Sequence, residues 1–318
     1  MWPAVPTIMW RIRSIFIVLL ALSLTAAGQD AATPVFRTGV AVVRVDAGVS
    51  QDNVIIKDLT KEDFVVTDQS KGQTITSLGR ESEPLSLMLL LDISGSMHPY
   101  IREISETAQE AVRHLKPGDS IGIMAFGART ALHFHLFDNH AEVVRQLRTV
   151  LDRQGEVGYT TAINRAIIDT ARYLDKNSDP TSQRAILILT DNLCINYQAN
   201  DQLAIGAVLA ANAVFNAIVV GRGIRPGPPK PGSNPDYTPA DVYRVAEDTG
   251  GITIKAEDAG RAFDEMIARI RDRYMIGYNL PSGAITGEFR RITLDLTPEA
   301  RRRYPNAIIR HRPGYYVR

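Results

Sequence analysis

Residues 85–97 read Leu-Ser-Leu-Met-Leu-Leu-Leu-Asp-Ile-Ser-Gly-Ser-Met. The apolar part, residues 85–91, has the length of a strand buried on both faces, as in a mostly parallel sheet. At its carboxyl end stand Asp92, Ser94 and Ser96. Three oxygen-bearing side chains at alternate positions, on a loop just past a buried strand, can converge on one hard cation. Open α/β sheets place their ligand sites at this end of the strands. The segment therefore predicts a metal-dependent binding site.

The 318 residues allow about two domains. A chain that is 45% hydrophobic and 22% charged is expected to fold, and a formal net charge of +1 argues against general attraction to nucleic acid. Arg11 and Arg13 precede an apolar run over residues 15–24, followed by Ala26, Ala27 and Gly28. A basic start, a short apolar stretch and small residues predict a cleavable signal over residues 1–28 and a periplasmic or extracellular protein. The run is short for a spanning helix, which needs about 20 residues, but left uncleaved it would anchor the chain to a membrane. Cys194, the single cysteine, excludes an intrachain disulfide and is expected to be a small buried apolar side chain.

Three regions follow along the chain. Residues 34–83 carry β-rich runs at Val40, Val42 and Val45, at 64–66 and at 74–78, and predict a small β module. Residues 84–280 alternate strand and helix. Strands at 120–126 and 130–137 are separated by three residues, too few for a parallel crossover, so they are expected to pair as an antiparallel hairpin. Strands at 185–189, 214–220 and 251–255, interleaved with helices, complete a doubly wound, mostly parallel sheet with one antiparallel edge strand. The Pro- and Gly-rich stretch 222–239 is expected to be a surface loop, because the βα alternation resumes after it. Residues 285–318 return to β character. They are expected to complete the N-terminal module as a small β-sandwich-like unit, with extension of the main sheet as the alternative.

Two further oxygen ligands fall on the same expected rim. Thr161 opens a helix after Gly158-Tyr159-Thr160, and Asp191 ends the run Ile188-Leu189-Thr190. The three segments, Leu91-Asp92-Ile93-Ser94-Gly95-Ser96-Met97, Gly158-Tyr159-Thr160-Thr161-Ala162-Ile163 and Ile188-Leu189-Thr190-Asp191, resemble the metal-site loops of von Willebrand factor A-type domains. The resemblance spans about residues 84–280. It implies a metal-ion-dependent adhesion site (MIDAS) in which Asp92, Ser94, Ser96, Thr161 and Asp191 hold Mg²⁺ or Mn²⁺. Tyr159-Thr160 departs from the pair of glycines frequent before that threonine, which narrows the loop but keeps the hydroxyl. The layout also resembles a bacterial subgroup abundant in Acidobacteria, through Asp58-Leu-Thr-Lys-Glu-Asp-Phe64, Tyr274-Met-Ile-Gly-Tyr278 and Pro313-Gly-Tyr-Tyr316.

Mg²⁺ takes six oxygens and keeps several waters. Neutral hydroxyls with few direct carboxylates leave the cation electron-poor, so an open position would accept a Glu or Asp from a partner protein. The expected function is thus an exported interaction module that is not an enzyme. An assembly or chaperone-like factor for an envelope complex or metalloenzyme is the alternative. A metal-dependent hydrolase is disfavoured because no general base is evident. His133 and His135 are placed on one side of the edge strand without a third ligand and are expected to be packed or solvated. Arg301-Arg302-Arg303 with Arg310 and Arg312 form a basic tail, expected to be a solvated face or a carboxylate-binding patch rather than a nucleic-acid surface.

Overall fold

The structure is a computed structural model describing residues 41–80, 83–194, 199–228, 230–234 and 238–318. The expected signal over residues 1–28 lies outside them. The described chain opens with strands β1 (Val42–Gln51), β2 (Val54–Ile55), β3 (Phe64–Asp68), β4 (Lys71–Gln73) and β5 (Ile75–Arg80). There follow β6 (Leu85–Asp92), α1 (His98–Ala111), β7 (Ser120–Phe126), β8 (Thr130–Phe137), α2 (His140–Leu147), α3 (Gln154–Val157) and α4 (Ile163–Asn177). Next come β9 (Gln183–Thr190), α5 (Asp201–Ala210), β10 (Val214–Val219), α6 (Val242–Asp248), β11 (Thr253–Lys255) and α7 (Ala259–Arg271). The chain closes with β12 (Tyr274–Asn279), β13 (Phe289–Leu296), α8 (Pro298–Arg303), β14 (Ile308–His311) and β15 (Gly314–Tyr316). Among the described residues no helix is long and apolar enough to cross a membrane.

The α/β body is a six-stranded sheet in the order β11-β10-β9-β6-β7-β8. Every pairing is parallel except that of β7 with β8. The sheet is sandwiched between helices because its strands are apolar on both faces. Leu85, Leu87, Leu89 and Leu91 pack into the cluster that contains the buried faces of α1, α2 and α7. Met88 and Leu90 pack into the opposite one, with α4, α5 and α6. The period of two sends alternate residues to opposite layers, and each fully buried Leu contributes about 1.5–3 kcal/mol relative to exposure. Helix α1 meets its layer through Ile101, Ile104, Ser105, Ala108 and Ala111, at helical spacing. Strand order reverses at β6, whose neighbours are β7 on one side and β9 on the other.

The remaining strands form two further sheets, β14-β1-β12-β5 with β2 attached to β1, and β15-β13-β3-β4. Val43, Val45, Phe64, Val66, Ile276, Ile292 and Leu294 share one core between them. None of the tail strands joins the six-stranded sheet. Asp68 ties the two sheets together. It is fully buried and accepts hydrogen bonds from Tyr278 Oη (2.9 Å), Tyr315 Oη (2.8 Å) and Arg290 Nε (2.8 Å). Thr60 and Asp63 form a capping box ahead of β3, and Arg303 pairs with Asp63 at 2.7 Å.

Three expectations need correction. The boundary at residue 280 falls one strand too late. Tyr274–Asn279 pairs with β1 and β5, and Tyr274, Ile276 and Tyr278 point into the β core with a period of two. His133 and His135 do not share a face. The β7–β8 pairing shifts register between Ile121 and Met124, so His133 meets Gln146 O of α2 at 2.9 Å while His135 meets Tyr173 Oη of α4 at 3.1 Å. A bulge of this kind turns successive side chains out of strict alternation. The arginines of the tail do not form one patch. Arg301 pairs with Asp295, Arg302 with Glu299 and Arg303 with Asp63, whereas Arg312 is buried.

Candidate metal centre

Asp92 and Asp191 stand on the two lips of the crevice at the point where strand order reverses. Asp92 ends β6, Asp191 follows β9, and the two strands run parallel in register up to Leu91 and Leu189. The Asp92 carboxylate is fully buried. Its Oδ1 accepts from Ser94 N at 3.0 Å and its Oδ2 from Thr190 Oγ1 at 2.8 Å. Burial pushes the Asp92 carboxyl up to about 6 against the pull of the Ser94 and Thr190 hydrogen bonds, and Asp191 adds repulsion.

From this buried anchor the oxygens step outward. Ser94 Oγ lies 3.3 Å from Ser96 Oγ, and Ser96 Oγ donates to Asp191 Oδ2 at 2.8 Å. Leu193 N holds the other oxygen, Asp191 Oδ1, at 3.1 Å. Ser94 and Asp191 are buried, and Ser96 is exposed at the mouth.

Thr161 reaches the same rim through backbone contacts. Cys194 Sγ donates to Thr161 O at 3.0 Å, which joins the Thr161 loop to the Asp191 loop. Ala162 N donates to Gly127 O at 2.8 Å, pinning the loop to the β7–β8 turn. A Cβ on Gly127 would stand 2.3 Å from Gly158 O, so only glycine permits this approach. Behind Asp191, a Cβ on Gly223 would stand 2.1 Å from Asp191 O, where the Pro-rich loop packs against the site. Cys194 is half-buried rather than fully packed, and burial raises its thiol pKa.

The five predicted residues thus fall on three neighbouring loops, with Ser96 touching both Ser94 and Asp191, Asp92 beneath them and Thr161 alongside. Sequence reasoning missed Thr190, which orients Asp92 and itself accepts from Asn192 N at 3.0 Å. It also missed Gln154, whose Nε2 donates to Ile93 O at 3.1 Å and braces the Ser94 turn. A polar residue closing an otherwise apolar strand was the available signal for Thr190.

The donor chemistry fits a hard divalent cation. Clustered hydroxyl and carboxylate oxygens suit Mg²⁺ or Mn²⁺. Among the described residues no group of three His, Cys, Asp or Glu side chains offers a competing site. Ser94, Ser96, Thr161 and Asp191 would hold the ion, with Asp92 bound directly or through water.

Residues 87–193 match the model of the von Willebrand factor type A domain. No curated protein matches the chain. Among solved structures, an aerotolerance-related membrane protein from Bacteroides fragilis NCTC 9343 is similar at 20% identity and TM-score 0.45, covering 58% of this chain and 98% of that one. A von Willebrand factor type A protein from Catenulispora acidiphila is similar at 13% identity and TM-score 0.46, covering 82% and 71%. Proximal thread matrix protein 1 from the mussel byssus, described with a zinc-occupied MIDAS motif, is similar at 15% identity and TM-score 0.45, covering 64% and 49%. The α/β body of this chain thus carries the doubly wound fold of a von Willebrand factor type A domain, with the family match confined to residues 87–193.

Proposed function

We propose that the chain is an exported, metal-dependent protein-binding module, and not an enzyme, in which Asp92, Ser94, Ser96, Thr161 and Asp191 hold Mg²⁺ or Mn²⁺ and an acidic side chain of the partner completes the ion's shell. The observation that carries this reading is the contact of Ser96 Oγ with Asp191 Oδ2 at 2.8 Å beside Ser94 Oγ, a hydroxyl-rich oxygen cluster at the mouth of the switch-point crevice. Two carboxylates among five oxygen ligands leave a divalent ion able to attract a third.

The surface around the mouth supports a protein partner. Tyr159 (76% exposed), Leu193 (58%) and Ile224 (70%) are large apolar side chains held in solvent. Each sits in a loop next to a candidate ligand, and Asn192 Nδ2 bonds Ile224 O at 3.2 Å. Exposed apolar residues around a polar centre suit an interface. The basic and apolar character of residues 11–28 supports export.

Calorimetric titration of Mn²⁺ into the full chain tests the ligand set. Asp92→Ala is expected to abolish binding, and unchanged affinity in that variant overturns the assignment. Capture from envelope extract should need Mg²⁺ or Mn²⁺. A captured partner that keeps full affinity in chelator would place the interface elsewhere.

A further inference from the structure

A cavity of about 240 Å³ opens at the far end of the sheet, where the α/β body meets the β strands. Its walls include Gln183 and Arg184 at the start of β9, whereas the metal rim follows Thr190 at the end of that strand. Seven residues at about 3.3 Å each put the two sites roughly 23 Å apart along the strand.

Four arginines line the cavity, Arg44, Arg184, Arg312 and Arg318, against one acid, Asp46. Asp46 is already engaged by Arg273 and by Gln183 Nε2, the latter at 2.6 Å. Arg184 and Arg312 are 4% and 6% exposed, and each keeps a buried Nε without a hydrogen-bond partner. Asp175 offsets part of this charge by pairing with Arg184 at 3.3 Å and Arg318 at 2.6 Å. Among the described residues Arg312 hydrogen-bonds to neutral acceptors, Asn212 Oδ1 at 2.6 Å and Arg44 O, and Asp46 attracts it without a direct contact. Burial lowers the pKa of both buried guanidiniums, Arg312 to about 10, and Arg318 repels both. Placing desolvated cations together is costly unless an anion answers them. Beside the polar Ser182, Gln183 and Asn212, the wall has an apolar part, with Val43, Val214, Met275 and Val317 alongside Tyr315.

We propose that this cavity is a binding site for a small organic carboxylate with an apolar body, its carboxylate facing the arginines and its body against the Val214–Met275 wall. Guanidiniums match a carboxylate in shape and charge. At about 30 Å³ per water the space equals roughly eight waters, which suits a ligand of about ten non-hydrogen atoms. The site is separate from the metal rim and does not depend on its function.

Benzoate is the probe, titrated into the full chain carrying ¹³C-methyl methionine. Saturable movement of the Met275 methyl resonance is expected, with the buried Met88 and Met97 methyls unmoved. Arg44→Gln at the exposed mouth should weaken binding by about tenfold, the scale of one charge-assisted contact. Arg184→Lys should weaken it further while the circular dichroism spectrum stays unchanged. Inorganic phosphate should bind at least about tenfold more weakly, since it leaves the apolar wall uncovered. Chelator should change nothing. The proposal is overturned by absence of saturable binding, by binding that leaves Met275 unmoved, or by wild-type affinity in both variants. Phosphate binding as tightly as benzoate, or loss of binding in chelator, overturns it as well.

Discussion

Thr190 Oγ1 donates to Asp92 Oδ2 at 2.8 Å, joining the ends of two neighbouring parallel strands across 98 residues of sequence. The bond fixes which way the buried carboxylate faces. Partners behind metal ligands typically control affinity by about 10–100-fold. Thr190→Val keeps the shape and removes the donor. Mn²⁺ affinity should fall by at least about tenfold, and stability by about 1.5–3 kcal/mol, the range for a hydrogen bond to a charged group. Calorimetry and denaturant unfolding check both. Wild-type affinity in this variant would mean that the bond has no part in placing Asp92.

Much of this arrangement was legible in the chain. A short, mostly apolar run such as residues 85–91 has the length of a strand covered on both sides, and in an open α/β sheet the oxygens beyond it fall on the rim. The three-residue gap before β8 required a hairpin. Other features depended on partners distant in sequence. Asp68 gathers Tyr278, Arg290 and Tyr315 from more than two hundred residues away. The bulge that separates His133 from His135 arises in pairing, not in either strand alone. The strand at 274–279 follows α7 closely, and only its pairing with β1 and β5 assigns it to the β core instead of the α/β body. Arg312 looked like part of a basic run, and only the tertiary fold buries it.

Glycine at 127 and glycine at 95 should behave oppositely. A Cβ at Gly127 meets Gly158 O at 2.3 Å and Thr160 O at 3.1 Å, whereas one at Gly95 meets nothing within 4 Å. Gly127→Ala should push the Thr161 loop away, weaken Mn²⁺ binding and cost about 1–3 kcal/mol through overpacking. Gly95→Ala, although it sits between two ligand serines, should leave stability and affinity unchanged. Parallel thermal melts and Mn²⁺ titrations decide. Equal effects at the two positions would show that loop spacing is not set by the Gly127 contact.

Arg273 joins the helical body to the β strands. It pairs with Asp46 of β1 and donates to Gly250 O at 2.8 Å and Arg310 O at 3.0 Å. Both members of the pair are buried. Arg273→Met leaves Asp46 without its cation, and removing one partner of a buried pair costs about 3–5 kcal/mol. The double variant Arg273→Met with Asp46→Leu should recover part of that loss, since no uncompensated charge remains. Denaturant midpoints measure the difference. A double variant no more stable than the single one would put the cost in the lost carbonyl contacts instead.

His311 should make this same junction sensitive to acid. A Cβ on Gly250 would stand 2.2 Å from the His311 backbone, and the imidazole Nδ1 lies 2.7 Å from Arg312 O. Burial holds its pKa below the ordinary 6.5, Arg273 and Arg312 repel the protonated ring, and only the hydrogen bond to the Arg312 carbonyl opposes them. The folded state therefore binds a proton less readily than the unfolded chain does. Stability on this account is full above pH 6.5 and declines as pH drops from 6.5 toward the folded-state value. Substitution by Gln removes the titration while keeping a polar side chain of similar reach. Unfolding free energy measured between about pH 7 and 5 should fall more steeply in the wild type than in His311→Gln. Carboxylates contribute the same background slope to both, so the difference isolates the imidazole. Parallel curves for the two proteins would show that His311 takes up its proton equally well folded and unfolded.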